Sequence, residues 1–356
     1  MSLTKALKDA LGDSVKLGSD LAKFQGERTW YSTGSFSLDK AIHPSGRGIP
    51  GGNLVEFFGD PSSGKSLLAL YVLASAQAQG GTGVLINTEG ALEASLAKQV
   101  NLNLDDLFIV ESMTSKKKEI LPVYLSDVFH IIEDIQEKVQ KIHGKDHPLV
   151  IVWDSLPATN TKKDFGGGAS REGSKEYNPI PDQGLKAKNL RQWLHRLTPQ
   201  IGGTNTLLIM INHVVAKIAS NPHVHYAKSK VAPGGSGPKF NSHIRLEFTK
   251  TGAKSSFIFE KGKEKFAPIG ETLHVTVEKN RISAPYQKAD IDFYFKREGG
   301  VQIDYYSGYL ERLIALDIVE NKGGWFSFKD EEGKEHKFRK ADFSKTMEEY
   351  PFLREF

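Results

Sequence analysis

The chain has 356 residues, 39% hydrophobic and 25% charged, which suits one large core with a small appendage. It contains no cysteine, which excludes disulfides, thiolate metal sites and thiol nucleophiles. A formal charge of +4 is too small to hold nucleic acid by itself, so any such affinity has to come from local placement of Lys and Arg.

The predicted elements begin with an amphipathic helix in the first thirty or so residues, with Leu3, Leu7, Leu11 and Val15 on one face. No run approaches the roughly 18 apolar residues that span a bilayer. The opening MSLTKALKDALGDS lacks the apolar core of a signal peptide, so no membrane contact and a cytoplasmic location are expected. From Gly52 to about Asp304, short apolar runs alternate with helical stretches: NLVEFFG, SLLALYVLASAQAQ, GVLINT, DLFIV, VFHIIEDIQEKVQ, LVIVWDS, LRQWLHRL and TLLIMIN. This alternation predicts an α/β fold with a mostly parallel sheet flanked by helices. HIRLEFTK, SSFIFEKG, LHVTVEK and ADIDFYF alternate apolar and polar residues, and predict an antiparallel extension. From about residue 303 a helix at YLERLIALDIVE and a polar, aromatic-dotted end predict a small C-terminal lobe. The expected division is therefore 1–31, 32–302 and 303–356. Residues 160–183 and 214–238, rich in Gly, Pro and polar residues, read as loops on a rigid sheet.

GDPSSGKS, which is Gly59, Asp60, Pro61, Ser62, Ser63, Gly64, Lys65 and Ser66, fits G-x-x-x-x-G-K-[ST] between an apolar run and a helix start. The N–H groups of such a loop converge on phosphates at the helix N-terminus. Lys65 would reach the β- and γ-phosphates and Ser66 would ligate Mg²⁺, which implies nucleotide triphosphate binding. Asp154 closes the apolar run LVIVWD, where a carboxylate is costly without a cation or donors; it reads as the second half of that site, a second metal ligand. Taken alone, such an Asp is a common helix cap or turn former. Glu89, just past GVLINT, stands where a base orienting the attacking water belongs, or is a solvated loop acid. Asn212 and His213 end TLLIMINH on the carboxyl side of the sheet; a lone His there is commonly structural, with nucleotide sensing as the functional alternative.

Between His213 and Leu246 there is no Asp or Glu, while Lys217, Lys228, Lys230, Lys239 and Arg245 supply positive charge among Gly234, Gly235 and Gly237. Such a loop suits a phosphate backbone, although basic loops are often only solvated. Lys188 and Arg191, with Lys186 beside them, would frame the same channel.

In order, STGSFSLDKAI, GDPSSGKS, INTEGAL, VIVWDS, NTLLIMINH, PGGSGPKFNSHIRLEF and VEKNRISAPYQKADIDF resemble the RecA family of DNA recombinases, from Ser32 to about Ser327. The resemblance implies a RecA-type ATPase core and ATP-dependent strand exchange in filaments on single-stranded DNA, with a homologous duplex as second partner. A single-strand-binding protein and a loader are further implied partners. Glu89 would activate water. His213, standing where bacterial relatives carry glutamine and similar to phage-encoded, UvsX-like members, would sense the γ-phosphate. Lys279 and Arg281 match basic residues donated to the neighbour's ATP. Lys239, Phe240 and Arg245 match the same subunit interface. Ala216, Lys217, Ile218, Gly234 and Gly235 match segments that grip DNA, and the N-terminal helix would dock on the adjacent protomer. Leu96 departs from the tyrosine that stacks on adenine in bacterial members, and the chain has no long acidic tail. A hexameric helicase or a recombination mediator on the same fold is the competing expectation.

Overall fold

The computed structural model describes residues 3–11, 18, 28–90, 94–114, 120–161, 183–216, 230–231, 234–250, 256–259, 267–296 and 300–356. In chain order the elements that build the site are α1 (Leu3–Leu11), α2 (Phe36–Ile42), β1 (Asn53–Gly59), α3 (Lys65–Ala78), β2 (Thr82–Asn87), β3 (Leu107–Val110), α4 (Leu125–His143), β4 (Leu149–Asp154), α5 (Gln183–Gly202), β5 (Thr206–His213), α6 (Ser236–Asn241), β6 (Ile244–Thr249), β7 (Gly270–Asn280), β8 (Lys288–Phe295) and β9 (Val301–Ile303). The C-terminal residues add α7 (Tyr309–Ala315), β10 (Glu320–Lys322), β11 (Trp325–Lys329), β12 (Glu335–Phe338) and α8 (Phe343–Glu349).

A ten-stranded sheet runs in the order β9-β8-β7-β6-β1-β5-β4-β2-β3, with Phe257–Ile258 paired to β7 off this path. From β6 through β3 every neighbour is parallel. β7, β8 and β9 are antiparallel additions. The predicted α/β fold with an antiparallel extension is what forms. HIRLEFTK differs in detail: as β6 it pairs parallel with β1 on one side and antiparallel with β7 on the other.

The unbroken apolar runs follow from burial on both faces. Successive strand residues point to opposite sides. Val55, Phe57, Val150, Val152, Ile209 and Ile211 pack with Leu68, Val72, Leu73 and Ala76 of α3, forming one core. Leu54, Ile151, Trp153, Leu208 and Met210 face the other way, onto Phe129 and Ile132 of α4 and Leu190 and Leu194 of α5. A third apolar cluster joins Phe36 to Tyr309, Leu313, Phe326, Phe328, Phe338 and Met347, so the aromatic-dotted end is a small packed unit around the three-stranded sheet β10-β11-β12. α1 is the described part of the predicted N-terminal helix; Val15 lies outside the described residues.

Candidate functional site

β1 ends at Gly59 and the chain turns into α3 through a loop that needs its glycines. A Cβ on Gly59 would lie 2.0 Å from the Phe248 carbonyl oxygen, and one on Gly64 (φ +76°) 2.9 Å from the Phe293 ring. Ser62 also adopts a left-handed backbone, at φ 54°. Lys65 is buried and folds back over the loop, its Nζ donating to Asp60 O at 2.6 Å, and to Gly59 O and Ser63 Oγ at 3.3 Å each. Burial pushes its pKa down to about 8, against the opposing pull of Asp154, Asp60 and Glu89.

The parallel register brings His213 and Asp154 to this end of the sheet, His213 opposite Gly59 and Asp154 opposite Asn87. Ser66 Oγ donates to Asp154 Oδ2 at 2.6 Å. Burial raises the Asp154 pKa, with the nearby Glu89 charge adding to it and the Ser66 hydrogen bond opposing. A hydroxyl and a carboxylate in contact are hard oxygen donors of the type Mg²⁺ takes, so the residues present fit that ion. The Asp154–Ser155 peptide bond is cis. Glu89 accepts a hydrogen bond from Ser155 Oγ and lies 3.0 Å from His213 Nε2. Burial would raise the Glu89 pKa, but the hydrogen bonds from Ser155 and His213, helped by the Lys65 charge, hold it below the ordinary carboxylate value. The His213 Nδ1 is buried and makes no hydrogen bond among the described residues.

Lys65, Ser66, Glu89 and His213 line a cleft of about 440 Å³ whose apolar lining is Leu67, Leu96, Leu273, Phe293, Phe295 and Val301, with Phe293 and Leu273 against Gly64. Lys250 Nζ and Glu271 Oε2, 2.8 Å apart, close another side. Sequence reasoning missed Ser155, Lys250, Glu271, Phe293 and Phe295. A signal existed for Phe295, because the buried series Ala289, Ile291 and Phe293 continues to it along one face of β8, yet it is 43% exposed. Leu96, singled out in the sequence, lines this cleft.

Lys279 and Arg281 lie elsewhere. Lys279 pairs with Arg245 in the β6–β7 ladder. The Arg281 N–H donates to His243 O and the His243 N–H to Leu54 O, so Arg281 sits level with the start of β1. From Leu54 to Gly59 the strand climbs roughly 16 Å. Their side chains cap the C-terminal end of α6: Lys279 Nζ donates to the carbonyls of Lys239 and Phe240 at 2.9 and 3.0 Å, and Arg281 Nη2 to Phe240 O at 3.1 Å. Burial and the charges of Arg281 and Arg245 push the Lys279 pKa down to about 8.

α5 and α6, which follow the two basic segments in sequence, pack on each other. Gly237 of α6 lies so close to α5 that a Cβ would stand 3.1 Å from the Arg191 backbone, and Gly234 and Gly235, both at positive φ, abut Leu190 and Ala187. Beside this contact a cleft of about 450 Å³ is lined by Lys188, Arg191, Gln192, His195, Phe240 and Asn241. Ala216 pairs with Lys230 in a short two-stranded ladder, while Lys217 and Ile218 lie outside the described residues, as do residues 162–182. Lys239 is exposed and Phe240 is 62% exposed. Arg245, expected with them, is turned inward: its Nε lies 2.5 Å from Glu56 Oε2, its Nη1 donates to Glu278, and its guanidinium lies over the Phe58 ring.

Fold and site together define an α/β protein whose glycine-rich loop opens on the carboxyl edge of a parallel sheet, ringed by Lys65, Ser66, Glu89, Asp154 and His213. The RecA N-terminal domain family matches residues 10–301, and the chain belongs to the RecA family. Among curated relatives, Protein RecA of Fusobacterium nucleatum is 30% identical over 340 residues, covering 93% of this chain and 78% of that protein. Protein RecA of Cereibacter sphaeroides is 29% identical over 340 residues (93% and 86%), and that of Campylobacter jejuni subsp. doylei 32% over 304 residues (84% and 74%).

Proposed function

We propose that the protein is an ATP-dependent recombinase that forms filaments on single-stranded DNA and pairs that strand with a homologous duplex. The observation that carries this reading is the distance, on one chain, between the residues around the glycine-rich loop and the basic pair Lys279 and Arg281. Lys65, Ser66 and Glu89 line the cleft at the carboxyl end of β1, with Asp154 bonded to Ser66, whereas Lys279 and Arg281 lie level with the start of that strand. A cation pair there reaches a nucleotide only by docking against another copy, and a head-to-tail contact of that kind propagates into a filament.

In this reading the loop N–H groups and Lys65 hold the phosphates, which draw Lys65 Nζ off the carbonyls it now contacts. Mg²⁺ at Ser66 and Asp154 would supply charge neutralisation on the phosphate oxygens. Glu89, kept ionised by Ser155 and His213, orients the attacking water and accepts its proton. Arg281 and Lys279 of a neighbouring copy stabilise the charge that develops on the leaving phosphates. His213 reports the presence of the γ-phosphate to the chain that follows it, residues 214–238. That segment, with Ala216, Lys217, Ile218, Gly234 and Gly235, together with Lys188 and Arg191 on α5, takes the DNA backbone. Lys239 and Phe240 lie on the face that meets the neighbour, with Arg245 behind it.

The test is a strand-exchange assay with the purified chain, ATP and Mg²⁺. A circular single strand and its homologous linear duplex should yield joint molecules, and a heterologous duplex none. Joint molecules with neither duplex, under conditions where the protein binds the single strand, would contradict the proposal.

A further inference from the structure

Glu56 lies inside the apolar run NLVEFF and is 1% exposed, a place where a carboxylate needs partners for both oxygens. Each oxygen has one. Oε1 accepts from Asn212 Nδ2 at 2.9 Å, and Oε2 from Arg245 Nε at 2.5 Å. Arg245, itself 5% exposed, also donates to Glu278, the residue before Lys279. Side chains on β5, β1, β6 and β7 are thus linked in series across adjacent strands. One end, Glu278, is 35% exposed beside the basic pair; the other, Asn212, directly precedes His213, which contacts Glu89.

Stability does not account for this arrangement. A buried ion pair costs its desolvation, and apolar side chains of similar size serve a core equally well or better. A linked series does something an apolar core cannot. With both carboxylate oxygens engaged, a shift of Glu278 and Arg245 has to be followed by Asn212 or break a hydrogen bond in low dielectric.

We propose that Glu56 is a positioning residue that couples the strand edge bearing Glu278 and Lys279 to His213 at the nucleotide cleft. The proposal rests on the functional reading above, in which that edge meets a neighbouring copy when DNA organises the filament. Glu56 touches neither nucleotide nor DNA; it acts through Asn212.

The experiment uses the full chain carrying Glu56→Gln with Arg245→Met, which leaves no buried charge unpaired and keeps an amide oxygen for Asn212, and Glu56→Gln alone as the second variant. Melting temperature, affinity for a fluorescent ATP analogue, and ATP turnover with and without single-stranded DNA are measured for each. Folding and nucleotide affinity should be retained, while the stimulation of kcat by DNA falls about tenfold. A folded double variant with wild-type stimulation overturns the proposal. If the double variant does not fold, Glu56→Gln alone decides in the same way. Absence of DNA stimulation in the wild-type chain overturns the functional reading itself, a result distinct from wild-type stimulation that survives the substitutions.

Discussion

His213 Nε2 stands 3.0 Å from Glu89 Oε1, so the residue that ends one parallel strand holds the carboxylate that follows another. Ser155, following a third strand, donates to the same carboxylate oxygen. Three strand ends meet at one acid, and any movement of Glu89 has to disturb His213.

Replacing His213 by Ala should leave ATP binding intact and make DNA affinity independent of which nucleotide is present. Measuring single-strand affinity with ADP, with a non-hydrolysable ATP analogue and with no nucleotide checks this. Nucleotide-dependent affinity in the variant would return His213 to a purely structural role. Glu89→Gln should bind ATP normally and lose roughly 10²-fold or more in turnover, the scale of a missing general base; Lys65→Ala should lose binding and turnover together.

Arg281→Ala should bind nucleotide and show no DNA-stimulated hydrolysis, because its side chain lies level with the start of β1 and away from its own loop. Mixing it with Glu89→Gln protomers should restore part of the turnover, since a wild-type Glu89 cleft can then face a wild-type Arg281. Two inactive variants that stay inactive when mixed would count against a site shared between copies.

Gly237→Val places branched carbons against the Arg191 backbone, where even a Cβ would be 3.1 Å away. Prising α6 from α5 should cost about 1–3 kcal/mol. It should weaken DNA binding, read by fluorescence anisotropy, more than nucleotide binding, because the cleft bearing Lys188 and Arg191 is built on that contact.

Asp39 is fully buried, and burial raises its pKa to about 6 despite hydrogen bonds from Ser32 and Thr33. The folded chain therefore holds a proton there that the unfolded chain has released above the ordinary Asp value near 4. This group's contribution to stability falls as pH rises from about 4 to 6. His243, lowered to about 4 by burial and the charges of Arg281 and Lys279, works in the opposite sense over the same range, so the wild-type profile mixes the two. Comparing Asp39→Asn with wild type isolates the Asp39 part: the variant's melting temperature should gain on the wild type as pH goes from 4 to 7. A difference that does not change with pH would refute the assignment.

The glycine-rich loop was legible because its signal is local: glycine spacing, Lys65 and Ser66 follow one strand and open one helix. The parallel sheet was legible from apolar runs without alternation. Strand order was not, because placing β5 between β1 and β4 depends on contacts far apart in sequence. For the same reason Glu56 passed unnoticed in an apolar run, and the sequence, which shows Arg245 as a charge in the basic stretch, gives no sign of its burial against Glu56 and Glu278 in other strands. Phe295 continues a stripe that reads as core, and only the structure shows that it emerges from the core at 43% exposure into the cleft. The level of Lys279 and Arg281 relative to the loop, on which the account of a shared site turns, comes only from the β7–β6–β1 register.

The most direct test is ATP hydrolysis by the purified chain without DNA, with single-stranded DNA and with duplex, alongside electron microscopy of the same samples. Strong stimulation by the single strand in samples that show helical filaments is the predicted result. Closed rings whose hydrolysis accompanies translocation, or turnover indifferent to single-stranded DNA, would contradict the account.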